Sequence, residues 1–205
     1  MSYSYSYVAA KCEVQVLQAA LLAAWPALRL EEPAQQFASW DSAYQWALPR
    51  CGYLRGTHPN DVKLLFRNGA WSVIADISLC MSGDGGSLAA LSRGVGRVVA
   101  ATTQGTAGFA QLLVFEAGAA IRSITGEAGH TVETGTPLPE EAGVPLGSFY
   151  LNELDTIWQR LELPSFLGAE PGGPVVGLHV FDQTSYPQTG ATKASARRPW
   201  WKFWR

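Results

Sequence analysis

Cysteine is scarce in this chain: Cys12, Cys51 and Cys80 are the only three. The number is odd, the spacings are wide and no Cys-x-x-Cys occurs, so nothing points to a zinc knuckle or a redox pair. Reduced thiols in a cytoplasmic protein are the expectation. Charge is sparse too, at 16% of residues, while apolar residues make up 47%. That balance belongs to a folded chain rather than a disordered one. Long apolar runs are missing: Val14 to Trp25 is twelve residues and contains Gln15 and Gln18, too short to span a bilayer. The first residues also lack the basic stretch that opens a secretory leader.

Chemical motifs are equally thin. No Gly-x-x-x-x-Gly-Lys-Ser/Thr loop and no Gly-x-Ser-x-Gly elbow exists. Gly94-Val-Gly96 lacks a third glycine and runs into a strand, where a dinucleotide fingerprint runs into a helix. His58, His130 and His179 are far apart in sequence, and a metal site would need them or carboxylates to converge. Neither a cofactor, a metal ion nor a catalytic residue is expected. An enzymatic alternative would have to unite Asp76, Glu116 and His179. Cys80 reads as a buried thiol at a strand end.

What the chain does contain is β pattern. Val62 to Phe66 and Ala70 to Asp76 are apolar runs flanking Asn68-Gly69, a pair suited to a tight hairpin turn. Gly96–Thr102, Ala107–Phe115 and Ala119–Ile124 continue an antiparallel meander. Tyr3, Tyr5 and Tyr7 alternate with serine and share one face of a first strand. Leu28–Leu30 is a short strand and Val175–Phe181 a last one.

Helical periodicity marks Val14, Leu17, Leu21 and Ala24, closed by Pro26. A second helix spans Phe37–Leu48, with Trp40, Tyr44 and Leu48 on one face and Ser39 or Asp41 suited to capping. A third spans Ser148–Leu163, with Leu151, Leu154, Ile157, Trp158 and Leu161 as its stripe. Ser82–Ser87 reads as a flexible loop followed by a turn or two of helix, and Thr125–Gly147 as a surface excursion and seam. The fold class expected is α+β: an antiparallel meander sheet of about five to seven strands with about three helices on one side. Residues 1–182 make one domain, 183–198 a linker and 199–205 an aromatic basic tail.

The charges divide unevenly. Net charge is −2, but residues 1–192 hold 10 basic and 17 acidic residues, and the five remaining cations all follow Thr192. Such an acidic body does not suit nucleic acid, and steers a cationic protein partner instead. Contacts are expected at the exposed-loop acids Asp84, Glu127, Glu133, Glu140 and Glu141, with Trp40 and Tyr44 as aromatic anchors. The tail, Trp200-Trp201-Lys202-Phe203-Trp204-Arg205, interleaves aromatics with cations, which suits a weak contact with an anionic membrane surface or a groove of a partner.

The stretches Gly69-Ala-Trp-Ser-Val-Ile-Ala-Asp76, Leu88-Ala-Ala-Leu-Ser-Arg93, Val98-Val-Ala-Ala101 and Phe115-Glu-Ala-Gly118 with Ile121-Arg122 resemble small bacterial α+β proteins of the immunity type found beside polymorphic toxins. The resemblance covers about Val62 to Leu163. It implies a cytoplasmic binding protein of bacterial competition and secretion systems, not an enzyme, whose partner is a cognate toxin or effector. It carries over no functional residue, because its motifs are structural.

Overall fold

The computed structural model describes residues 4–52, 60–166 and 173–182. At its centre the apolar runs on either side of Gly69 form the expected hairpin, β4 (Asn60–Asn68) and β5 (Trp71–Asp76). The turn sits one residue later than the Asn-Gly pair implied. Asn68 still pairs with Trp71 as a strand residue, so the loop is Gly69-Ala70. Gly69 leads it at φ 56°, the place where a two-residue turn of this hand needs a residue without a Cβ.

The meander is split. β6 (Val98–Gln104), β7 (Phe109–Glu116), β8 (Ala119–Glu127) and β9 (His130–Gly135) follow one another across the sheet, but β5 and β6 are not neighbours. The tyrosine strand β1 (Ser4–Ala10) lies between them and is antiparallel to both. On the far side β10 (Val175–Asp182) pairs with β4, and β2 (Leu28–Leu30) and β3 (Gln35–Phe37) pair with β10. The order is β2-β10-β4-β5-β1-β6-β7-β8-β9 in a ten-stranded antiparallel sheet, more strands than expected.

The four helices among the described residues lie on both faces, which corrects the expectation of one covered side. α1 (Val14–Ala24) and α3 (Gly85–Val95) bury Leu17, Leu21, Leu88 and Leu91 against Val8, Leu65, Ile74, Ala100 and Leu113. α2 (Trp40–Ala47) and α4 (Leu151–Arg160) bury Ala43, Ala47, Leu154, Ile157 and Trp158 against Leu64, Phe66, Val73, Leu112 and Val114 on the opposite face. Coverage on both sides explains why all six residues of β5 are buried, since a strand with helices over both faces has no solvent side.

Capping sets where these helices begin. The Ser39 hydroxyl accepts the Ser42 N–H at 3.3 Å and starts α2, so Phe37 falls in β3 instead of in the helix. Asp84 accepts the Ser87 N–H at 3.0 Å and starts α3. The glycines after Asp84 therefore open an eleven-residue helix rather than a loop.

The stretch Thr125–Gly147 is not a loose excursion. β8 runs on to Glu127, turns at Ala128 (φ 49°) and Gly129 (φ 81°), and returns as β9. The chain then crosses back over β8. There Gly126 admits the Phe149 carbonyl so closely that a Cβ would stand 1.8 Å from its oxygen. Gly126→Ala should therefore displace the crossing and cost about 1–3 kcal/mol, in the range for overpacking. A shift of the urea midpoint by less than a tenth would contradict that close approach.

Candidate functional site

The β4–β5 register sets Lys63 directly opposite Asp76. Both side chains turn to the α1–α3 face with Leu65 and Ile74, and both are almost fully buried. Alternation places Asp61 on the same face, two residues along β4. The Lys63 ammonium donates to Asp61 Oδ2, to Asp76 Oδ1 and, at 2.9 Å, to Ser78 Oγ. Ser78 Oγ also bridges the two carboxylates, 2.7 Å from Asp61 Oδ2 and 2.8 Å from Asp76 Oδ1. The other Asp76 oxygen accepts the Met81 N–H at 2.7 Å and faces the Ser6 hydroxyl at 3.5 Å. Thr102 Oγ1 donates onward to Ser6 at 3.0 Å.

The polar row continues across the sheet. Ser6 pairs with Thr102, Thr102 with Gln111 and Gln111 with Thr125, and Gln111 Nε2 donates to Thr125 Oγ1 at 3.2 Å.

Burial by itself would push the Lys63 ammonium toward neutrality, but Asp61 and Asp76 outweigh it and hold its pKa above the ordinary lysine value. Burial likewise works against the Asp76 carboxylate, yet Lys63, the Met81 N–H and Ser78 hold it below the usual carboxylate range. A lysine kept as ammonium has no lone pair for nucleophilic or Schiff-base chemistry. What the cluster does is stitch the turn from Ile77 to Gly83 onto β4 and β5. That turn carries Leu79 at φ 60°. It also carries Cys80, which is exposed and not the buried strand-end thiol that pattern implies.

The residues of the enzymatic alternative do not converge. Asp76 lies at the Ser6 end of the sheet and Glu116 at the Ala10 end, three strands away. Strand geometry separates them by roughly 20 Å. His179 pairs with Val62, so it faces the α2–α4 side, where its Nδ1 lies 3.4 Å from Glu32. Among the described residues no group of three or more His, Cys, Asp or Glu side chains could hold a metal ion.

The expected contact residues fall in three places. Trp40 and Tyr44 stack at 6.2 Å on α2, over β4 and β10, and Tyr44 is exposed. Asp84 caps α3 on the other face. Glu127, Glu133, Glu140 and Glu141 gather around β8 and β9, six strand spacings or ~29 Å from β4 at ~4.8 Å per strand.

Glu141 is corrected outright: it is 6% exposed. Its Oε1 accepts from Arg122 Nε at 2.8 Å and its Oε2 from Arg122 Nη2 at 2.6 Å. It is a buried clamp and not a contact residue. Its hydrogen bonds, followed by those of Glu133, keep the Arg122 pKa raised despite burial. Glu133 shares that guanidinium from the rim, with its side chain 40% exposed. Glu127 is exposed and Glu140 half-buried. The tail residues Trp200, Trp201, Lys202, Phe203, Trp204 and Arg205, and also His58, lie outside the described residues.

Lys63, the centre of the buried cluster, is the residue that pattern missed. A signal was present: both β4 and β5 read as apolar on both faces, so a lysine inside them had to be buried and paired.

No helix among the described residues is long and apolar enough to cross a membrane. Comparison with protein-family models, with characterised proteins and with solved structures found no match.

Proposed function

We propose that this chain is a binding protein of the immunity type, which neutralises a basic toxin or effector by covering it, and that it performs no catalysis of its own. One observation carries the proposal. The buried cations Lys63 and Arg122 are compensated by carboxylates within the chain, and the buried Asp155 carboxylate is met by hydrogen bonds from Gln159, Ser165 and the Phe166 N–H, whereas the acids on the surface are largely unpaired. Lys63 is met by Asp61 and Asp76, and Arg122 by Glu133 and Glu141. Among the described residues Glu31, Asp41, Asp84, Glu116 and Glu127 are exposed and take part in no ion pair within the ion-pair distance of 4.0 Å. Exposed, unpaired carboxylates, two of them at strand ends and the others in α2, at the cap of α3 and after β2, steer a cationic partner into encounter and are screened by salt.

The test is co-expression with the effector encoded beside this chain. Restored growth and a stoichiometric complex are the expected results, and a chain that neither protects nor co-purifies ends the proposal. Within such a complex, Glu127→Lys with Glu140→Lys should slow association about tenfold at low salt and change dissociation little. Stopped-flow mixing at two ionic strengths reads both rates.

A further inference from the structure

The two edges of the sheet are built differently. At one, β2 and β3 are three residues each and are separated by the break at Glu31-Glu32-Pro33. Short, interrupted strands blunt an edge against further pairing. At the other, β9 is six residues long, unbroken, and contains neither lysine nor proline. Among the described residues β8 is its only strand partner. Thr131, Val132 and Thr134 are β-branched and favour a strand, and Val132 is 66% exposed.

The register shows which backbone groups this edge leaves over. The Thr136 N–H donates to Ile121 O at 3.1 Å, which makes 121 and 136 a hydrogen-bonded pair. Antiparallel pairs alternate, so His130, Val132 and Thr134 bond inward to Glu127, Thr125 and Ser123. The turn agrees: a two-residue loop at Ala128 and Gly129 is closed by the hydrogen-bonded pair Glu127 and His130. The N–H and C=O groups of Thr131 and Glu133 therefore point out of the sheet, on either side of Val132.

That spacing is self-complementary. A two-fold contact sets one patch against itself, here β9 against β9 in antiparallel, and outward residues must meet outward residues. Centring the axis on Glu133 makes Thr131 pair with Gly135, whose φ of 87° takes it out of strand geometry, and sets two glutamates opposite each other. Centring it on Thr131 makes Glu133 pair with Gly129, at φ 81° in the turn. Centring it on Val132 uses strand residues throughout. Thr131 of each copy then meets Glu133 of the other, each pair exchanging both backbone hydrogen bonds. His130 meets Thr134, and Val132 meets Val132 in a non-hydrogen-bonded pair, where side chains come closest, at ~4.5 Å between Cα atoms. Glu133 keeps its own Arg122 on the opposite face and needs no new ion pair.

We propose that β9 pairs with β9 of a second copy about a two-fold axis at Val132, joining two sheets into one continuous antiparallel sheet. A lone strand pair of this length belongs to the small, transient class of interfaces, under ~1,200 Å². The dimer is therefore weak and forms as concentration rises, and it closes the open edge against unrelated strands.

Sedimentation and residue-resolved hydrogen exchange on the full chain, each over a concentration series, test this. The mass should rise toward that of a dimer, and the outward amides of Thr131 and Glu133 should gain protection in step with it. Val132→Lys sets two ammonium groups against each other across the axis and should weaken association about tenfold or more. Val132→Glu should do the same by itself. Mixed one to one, the two variants should associate again, because an axis at Val132 sets the new cation of one copy against the new anion of the other. The inward amides of His130 and Thr134 should stay protected in both variants, which separates loss of the contact from loss of the fold.

A chain that stays monomeric at every concentration, with both outward amides unprotected, would overturn the proposal. So would outward protection that is independent of concentration and therefore arises within one chain, association that ignores both substitutions, or a mixture that fails to associate. Protection gained only when a different protein is added would assign the edge to that partner instead.

Discussion

Lys63→Met is expected to cost about 3–5 kcal/mol at pH 7, the range for removing one partner of a buried ion pair. The lost attraction is the smaller part of that figure. Without the ammonium, Asp61 and Asp76 face each other across Ser78 in an interior where neither is more than 6% exposed, and the uncompensated charge is what destabilises. Adding Asp61→Asn and Asp76→Asn to Lys63→Met should therefore recover part of the loss, a coupling that a mutant cycle measures directly.

The pH dependence has a definite sign. The folded Asp76 pKa is lowered, so its contribution is present above the unfolded value of ~4 and is lost as pH falls through the lower folded value. The folded Lys63 pKa is raised, so its contribution is present below ~10.4 and is lost as pH rises through the higher folded value. The gap between wild type and Lys63→Met should be widest from about pH 5 to 10 and narrow in acid. Urea midpoints at pH 7 and pH 3 decide it. A gap below about 1 kcal/mol at pH 7, or one unchanged at pH 3, would show that the cluster does not compensate charge as its geometry requires.

Trp158→Ala should be about as damaging, ~3–5 kcal/mol for a large aromatic removed from a core. Trp158 is fully buried on the α2–α4 face. Its ring sits 5.1 Å from Phe166 and 6.2 Å from Tyr7, and its Nε1–H donates to Pro164 O at 2.8 Å. It thus ties α4, the segment after α4 and the central strand β1 together. The neighbours cannot close the space, because Tyr7 is fixed in the sheet by pairing on both sides and Phe166 by its N–H to Asp155 at 2.7 Å. Trp158→Phe keeps most of the volume and loses the one hydrogen bond, so it should cost closer to about 1–2 kcal/mol. Similar midpoints for the alanine and phenylalanine variants would mean that the site collapses freely.

Much of this architecture is local and could be read directly. The spacing of Leu17, Leu21 and Ala24 marked α1, and the stripe through Leu154, Ile157 and Trp158 marked α4. The tyrosine alternation marked β1, and the two apolar runs around Gly69 marked a hairpin. Each rests on a periodicity or turn preference that acts within a few residues. The turn itself slipped by one position because Asn68 keeps its cross-strand partner Trp71, and pairing outweighs turn preference. The hairpin of Ala128 and Gly129 was missed for a related reason: β9 is polar and exposed, so its strand carries no apolar alternation to detect.

What the sequence by itself determined is part of the inventory: α1, α2 and α4, the strands β1, β2, β4 to β8 and β10, an antiparallel α+β class, and that acids dominate the body while cations collect in the tail. Only the tertiary structure decided that β1 enters between β5 and β6, that helices cover both faces, and that Lys63 meets Asp61, Asp76, Ser78 and, through Asp76, Ser6. Those choices depend on register between strands as distant in the chain as Ser4 from Gln104, where a shift of one residue would turn every side chain to the other face. The same register buried Glu141 against Arg122 and left Glu133 at the rim. Composition counts charges along the chain, but which of them are compensated depends on neighbours that only folding brings together.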